Sequence, residues 1–114
     1  MESILDTIKE MLGSDTEYDD FDNELIVYIN TAFNVLHQLG LGSKGFHITS
    51  NAETWNDFIQ DIDRYWMVKE FVYLKVKQAF DPNQNSNITD SYNKQLDELT
   101  WRINVEVESG DNYE

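Results

Sequence analysis

Cysteine is absent from the 114 residues, which excludes disulfides, thiol catalysis and thiolate-held zinc together and fits a reducing cytosol. Proline occurs once, at Pro82, and histidine twice, at His37 and His47. Neither histidine stands in a His-x-x-x-His or His-Glu arrangement, so no zinc site is indicated. No serine sits in a nucleophile elbow. Cations are scarce: eight Lys and Arg stand against 22 Asp and Glu, a net charge of -14. Duplex nucleic acid is bound through clustered Lys and Arg, so the charge argues against that mode and against adhesion to an anionic membrane. The same charge keeps a monomer soluble by self-repulsion and costs stability. No apolar run approaches the length that spans a bilayer. The opening MESILDTIKEML has neither a basic start nor the apolar stretch of a signal peptide. We expect a protein made and kept in a cytoplasm.

Apolar residues are nonetheless 40% of the chain, enough for one small packed domain over 1–114. Their spacing is helical. Ile4, Leu5, Ile8, Met11 and Leu12 mark one face of a short helix that Gly13 ends. An acidic loop follows, and its carboxylates precede a second helix with Leu25, Ile26, Ile29, Phe33, Leu36 and Leu39 in register. Phe21 is placed to pack back as a hydrophobic staple, and Gly40 is the stop. Residues 46–49 alternate apolar and polar, as a loop or a minor strand. Ser50 to Glu53 reads as a capping box for a helix holding Trp55, Phe58, Ile59 and Ile62, with a break or turn at 61–63. The next segment, Tyr65 to Phe80, is apolar on most sides and belongs at the centre of the domain. Pro82 stops it. After a polar loop, capped at Ser86 or Asn87, a long last helix carries the stripe Ile88, Tyr92, Leu96, Leu99 and Ile103, continued by Val107. Residues 109–114 read as a frayed tail. The expected fold is all-α: a compact bundle of about five helices with a long C-terminal helix and at most a minor β segment near 46–49.

The candidate chemistry is thin. Asp15, Glu17 and Asp19 alternate as calcium ligands do. The sixth and twelfth positions counted from Asp15 are Asp20 and Ile26, where an EF-hand needs glycine and a carboxylate, so a solvated acidic loop is the better reading. Gly40, Gly42 and Gly45 spell G-x-G-x-x-G, but a helix precedes them where the dinucleotide fingerprint requires a strand. Asp57 and Asp61 lie one helical turn apart, as expected on any acidic surface. We expect no enzyme activity, no metal and no cofactor. Trp55, Trp66 and Trp101 are core or interface residues. Trp101 is the best interface candidate, lying off the last helix's stripe and pairing with Val105 on another face.

Seven segments, in this order and spacing, carry a family resemblance: FDNELIVYIN at 21–30, QLGLG at 38–42, GFHI at 45–48, TWNDFI at 54–59, VKEFVYLKV at 68–76, FDP at 80–82 and ELTWRINV at 98–105. Together they make the chain resemble the head–tail connector (adaptor) proteins of tailed bacteriophages and prophages. It departs from that pattern at Asn83, where a second proline is expected, which loosens the loop. The resemblance implies a helical subunit of a ring beneath the portal. Such a ring extends the DNA channel, which DNA traverses without specific binding, and offers a surface to the next connector or tail protein. It implies a virion component at the head–tail junction.

On that reading the interface candidates are Phe80, Asp81 and Pro82 in the loop, and Trp101, Arg102, Val105 and Val107 on the last helix. Arg102 pairs with a neighbouring subunit's carboxylate or complements the helix dipole. The ring forms by self-association, with the portal as template. The acidity would suit a channel in which DNA slides without sticking. The alternative is a small acidic inhibitor or DNA mimic that binds a basic host protein. Such a protein presents a regular array of carboxylates and forms no ring.

Overall fold

A computed structural model describes residues 2–63, 66–80 and 85–111. Among these residues five helices follow one another: α1 (Ile4–Met11), α2 (Asp22–Gln38), α3 (Trp55–Phe58), α4 (Met67–Phe80) and α5 (Ser86–Asp111). The molecule measures 44 × 35 × 21 Å, so its thin direction is about two helix diameters. Few elements in such a slab are covered on both sides. The covered one is α4, which packs against α1, α2 and α5. Its sequence fits that position. Met67, Val68, Phe71, Val72, Leu74 and Val76 are all buried and span more than one face. The β-branched residues do not turn the segment into a strand, because helices on either side bury both faces.

The ends of α2 show how local chemistry sets its limits. Asp22 and Glu24 occupy the first turn, at the positive end of the helix dipole. At the other end the Gly40 N–H donates to the His37 carbonyl and the Leu41 N–H to the Leu36 carbonyl. This is a Schellman closure, which requires the left-handed conformation that Gly40 adopts at φ 98°. Leu41 is then delivered into the core. The N–H of Ser14, bonded to the Lys9 carbonyl, closes α1 in the same way. Phe21 is itself the N-cap residue, not the N′ residue of a staple; half exposed, its ring lies 5.9 Å from Tyr18 and 6.4 Å from Phe80.

Several local expectations need correction. On α1 the buried face is Ile4, Leu5, Ile8 and Lys9, while Met11 is exposed. The Lys9 side chain is 2% accessible. Its Nζ donates to the Thr16 carbonyl and to Asp22 Oδ1, both at 2.9 Å. The acidic loop is thereby folded over α1. The proposed helix start at Ser50 also shifts. Glu53 does reach back, accepting from the N–H and hydroxyl of Thr49 and the N–H of Ser50. The backbone at 53–55 then pairs with residues 2–4: Ile4 N–H donates to Glu53 O and Trp55 N–H to Glu2 O, an isolated antiparallel bridge centred on Ser3 and Thr54. Helix α3 therefore begins only after Thr54. The Asp57 carboxylate accepts from the Thr54 N–H at 2.8 Å, while the Thr54 hydroxyl is buried without a partner. Helix α3 ends at Phe58, because Ile59 is extended (φ -147°, ψ 127°). Asn85, rather than Ser86 or Asn87, caps α5 by accepting from the Ile88 N–H. Residues 46–48 form no strand. Ile48 is held to α2 by the Asn30 side-chain amide, which accepts from its N–H at 2.7 Å and donates to its carbonyl at 3.0 Å.

Below that loop lies an aromatic cluster. Phe33 of α2 meets Phe46, Trp55 and Phe58 at ring separations of 5.2, 6.1 and 4.5 Å. Gly42 passes so close that a Cβ there would clash with the Phe58 ring. The indole N–H of Trp55 donates to the Thr7 hydroxyl, joining α3 to α1. Along α5 the stripe is seated as expected, with Tyr92, Leu96, Leu99 and Ile103 buried and Ile88 and Val107 partly so.

Two tests follow from these contacts. Asp22→Ala strands the Lys9 ammonium with a single carbonyl, and we expect a loss of about 3 kcal/mol. Lys9→Met removes the charge while keeping the volume and should cost less; chemical denaturation giving the opposite order would refute this account of the pair. The second test uses pH. The hydrogen bond from Lys69 leads the effects that hold the Glu2 carboxyl below the ordinary range. Burial pushes the Glu53 carboxyl up, but the hydrogen bonds around it outweigh that and leave it lowered. Lowered carboxylates stabilise the fold above their unfolded pKa, and that contribution is lost as pH falls through the folded one. The stability gap between wild type and Glu2→Gln/Glu53→Gln should therefore be present at about pH 6 and close below about pH 4.

Candidate interaction surface

With its apolar stripe turned inward, α5 presents a second set of residues to solvent. Trp101 and Val105, four residues apart and so on one helical face, are 66% and 41% exposed. Trp66, just before α4, is 57% exposed beside them. Two adjoining clefts run along this side. One, of about 280 Å³, is lined by Trp66, Glu70, Gln95, Glu98, Leu99 and Arg102. The other, of about 260 Å³, is lined by Trp66, Met67, Trp101, Arg102, Val105 and Glu106. Trp66 and Arg102 belong to both. Helix α4 is held against α5 by the buried stripe, so the two tryptophans are displayed on a packed support.

The residues expected at the interface are thus divided. Trp101, Arg102 and Val105 share this face. Arg102 Nη2 is 2.7 Å from Glu98 Oε1, an ion pair within the same helix turn. Val107 is partly buried against the core, with its Cγ1 beside Gly40. Phe80 ends α4 elsewhere, partly buried, its ring edge-on to Tyr28 at 5.1 Å. Asp81 and Pro82 lie outside the described residues. Trp66, left open between core and interface by the sequence and placed in the apolar run from Tyr65 onward, is exposed. The available signal was that Met67, Val68, Phe71 and Leu74 already fill the buried faces of α4.

The remaining candidates gather no reactive constellation. His37 and His47 are both exposed, and the His47 ring Nδ1 lies 3.1 Å from the Gly45 carbonyl. A cleft of about 380 Å³ lies between the acidic loop and residues 49–51, with Glu17, Asp19 and Asp22 in its wall. Among the described residues no three His, Asp or Glu side chains are placed to share a metal ion. No described helix is long and apolar enough to cross a membrane.

The described residues form a helical bundle whose α4–α5 side exposes Trp66, Trp101 and Val105. The chain belongs to the phage connector protein family, whose model matches residues 4–110. It is a structural family, and its members work in contact with other phage head and tail proteins. No curated protein and no solved structure matches this chain.

The three tryptophans give a direct check on the geometry. In single-tryptophan variants, Trp66 and Trp101 should be quenched readily by acrylamide and Trp55 poorly. Trp101→Ala should change stability by less than about 1 kcal/mol, whereas Trp55→Ala should cost about 3–5 kcal/mol.

Proposed function

We infer that this chain is a subunit of a head–tail connector ring that sits between portal and tail and extends the DNA channel. The observation that carries the reading is the family match, which spans residues 4–110. Two features support it. The Trp66–Trp101–Val105 face is exposed on packed helices, as a docking surface must be. The net charge of -14 disfavours adhesion of DNA to the walls of a channel. Self-repulsion at that charge also favours a subunit that stays monomeric until the portal gathers its copies. The partners are then the portal protein, neighbouring copies, and the next connector or tail protein. The site of action is the head–tail junction of a virion assembled in a bacterial cytoplasm.

Electron microscopy of the purified protein mixed with the portal of its own phage tests this. A ring coaxial with the portal, its lumen crowded with carboxylates, is the expected image. Failure to attach at micromolar concentrations would refute the connector assignment. A ring with a neutral or basic lumen would refute the role given to the charge.

A further inference from the structure

The face shared by α4 and α5 sets exposed apolar side chains beside carboxylates. Trp66, Trp101 and Val105 supply the exposed apolar area. The charged residues lining the two clefts are Glu70, Glu98, Glu106 and Arg102, and the Arg102 guanidinium is already held by Glu98. The clefts adjoin at Trp66 and Arg102 and together reach from Gln95 to Glu106, about 16 Å along the helix axis, as one stepped groove. That length accommodates about three turns of a second helix.

We propose that this groove is the docking site for an amphipathic helix of another junction protein, apolar where it meets the tryptophans and lined with Lys or Arg along its edges. The proposal rests on the connector reading for where the partner is found, and adds the partner's chemistry and the face that receives it. Tryptophans in a shallow groove are the anchors that such helices use, because they bury large area with few rotatable bonds. The carboxylate margin selects a basic edge and speeds encounter with it. A second copy of this chain is a poorer occupant. Symmetric pairing through the groove would set Glu70, Glu98 and Glu106 against their own counterparts, and each copy carries a charge of -14.

Two synthetic helical peptides of equal length test the groove on the full chain. Both have the same apolar face; one has Lys edges and the other Glu edges. The Lys peptide should bind and shift tryptophan emission, and the Glu peptide should not. Trp66→Ser and Trp101→Ser, which leave net charge unchanged, should each weaken binding by about tenfold or more without altering the melting curve. Glu70→Lys keeps the tryptophans and should weaken it as well. The proposal is overturned if the tryptophan variants bind as tightly as wild type, since the attraction would then be diffuse charge. It is overturned equally if the Glu peptide binds as well, or if sedimentation finds a wild-type dimer that Trp101→Ser dissociates. A portal-mixing arm separates this from the connector reading. Trp66→Ser and Trp101→Ser proteins that still join portal and tail partners normally would refute the groove and leave the connector role intact. Tryptophan-dependent peptide binding without any attachment of wild type would refute the connector role and uphold the groove's chemistry.

Discussion

The buried Lys9 ammonium organises the first third of the molecule. A charge taken out of water must be met by acceptors nearby, and here they are the Thr16 carbonyl and the Asp22 carboxylate. Meeting it brings an acidic loop, which would otherwise repel its surroundings, down onto α1 and sets where α2 begins. A chain with 22 carboxylates and eight cations holds few such opportunities. The other cations near the core are similarly engaged. Lys69 pairs with Glu2 and lies 5.9 Å from the centre of the Trp55 ring, and Lys75 and Lys77 lie over Phe71 and Tyr73. Lys9 and Lys69 thus join separate segments, whereas Lys44, Lys77, Lys94 and Arg102 are exposed.

That use of charge has a consequence for α5. The helix is seated by apolar contacts through Tyr92, Leu96, Leu99 and Ile103, with the Gln78 amide donating to Asn93 Oδ1 beside them. Its outer face is then available for recognition without disturbing the fold. Trp101 and Val105 occupy that face, and the Glu98–Arg102 pair beside them is exposed, of a kind that contributes little to stability. A side chain with so little to do for the fold and so much apolar area in water is more easily understood through association than through folding.

The helices were legible in the sequence because their apolar residues repeat with the helical period and their ends carry local signals. Gly40 and the stripe from Ile88 to Ile103 needed nothing beyond neighbours a few residues away. The misses share a different cause. Lys9 is buried only because residues 13–21 fold back over it, and no periodicity reveals that. Glu53 does bind the loop amides, but the helix waits for Thr54 because the backbone at 53–55 pairs with residues 2–4. Trp66 stayed open between core and interface because composition cannot distinguish a helix covered on two sides from the exposed residue just ahead of it. On the surface, the sequence singled out Trp101, Arg102 and Val105. What it could not show is that Trp66, brought from a separate segment, completes the same face.

Charge and shape together narrow what that face can meet. An apolar groove alone would accept any greasy helix, including a second copy, and would make a protein at high local concentration associate with itself. Carboxylates at the groove margins penalise that outcome, since like charges set opposite one another in a partly desolvated contact disfavour the wrong pair. In the proposed ring, subunits that meet elsewhere would then stand close together with this groove still vacant. The same acidity that would keep DNA from adhering to a channel wall would keep the docking faces from consuming one another, leaving them for a partner of opposite charge.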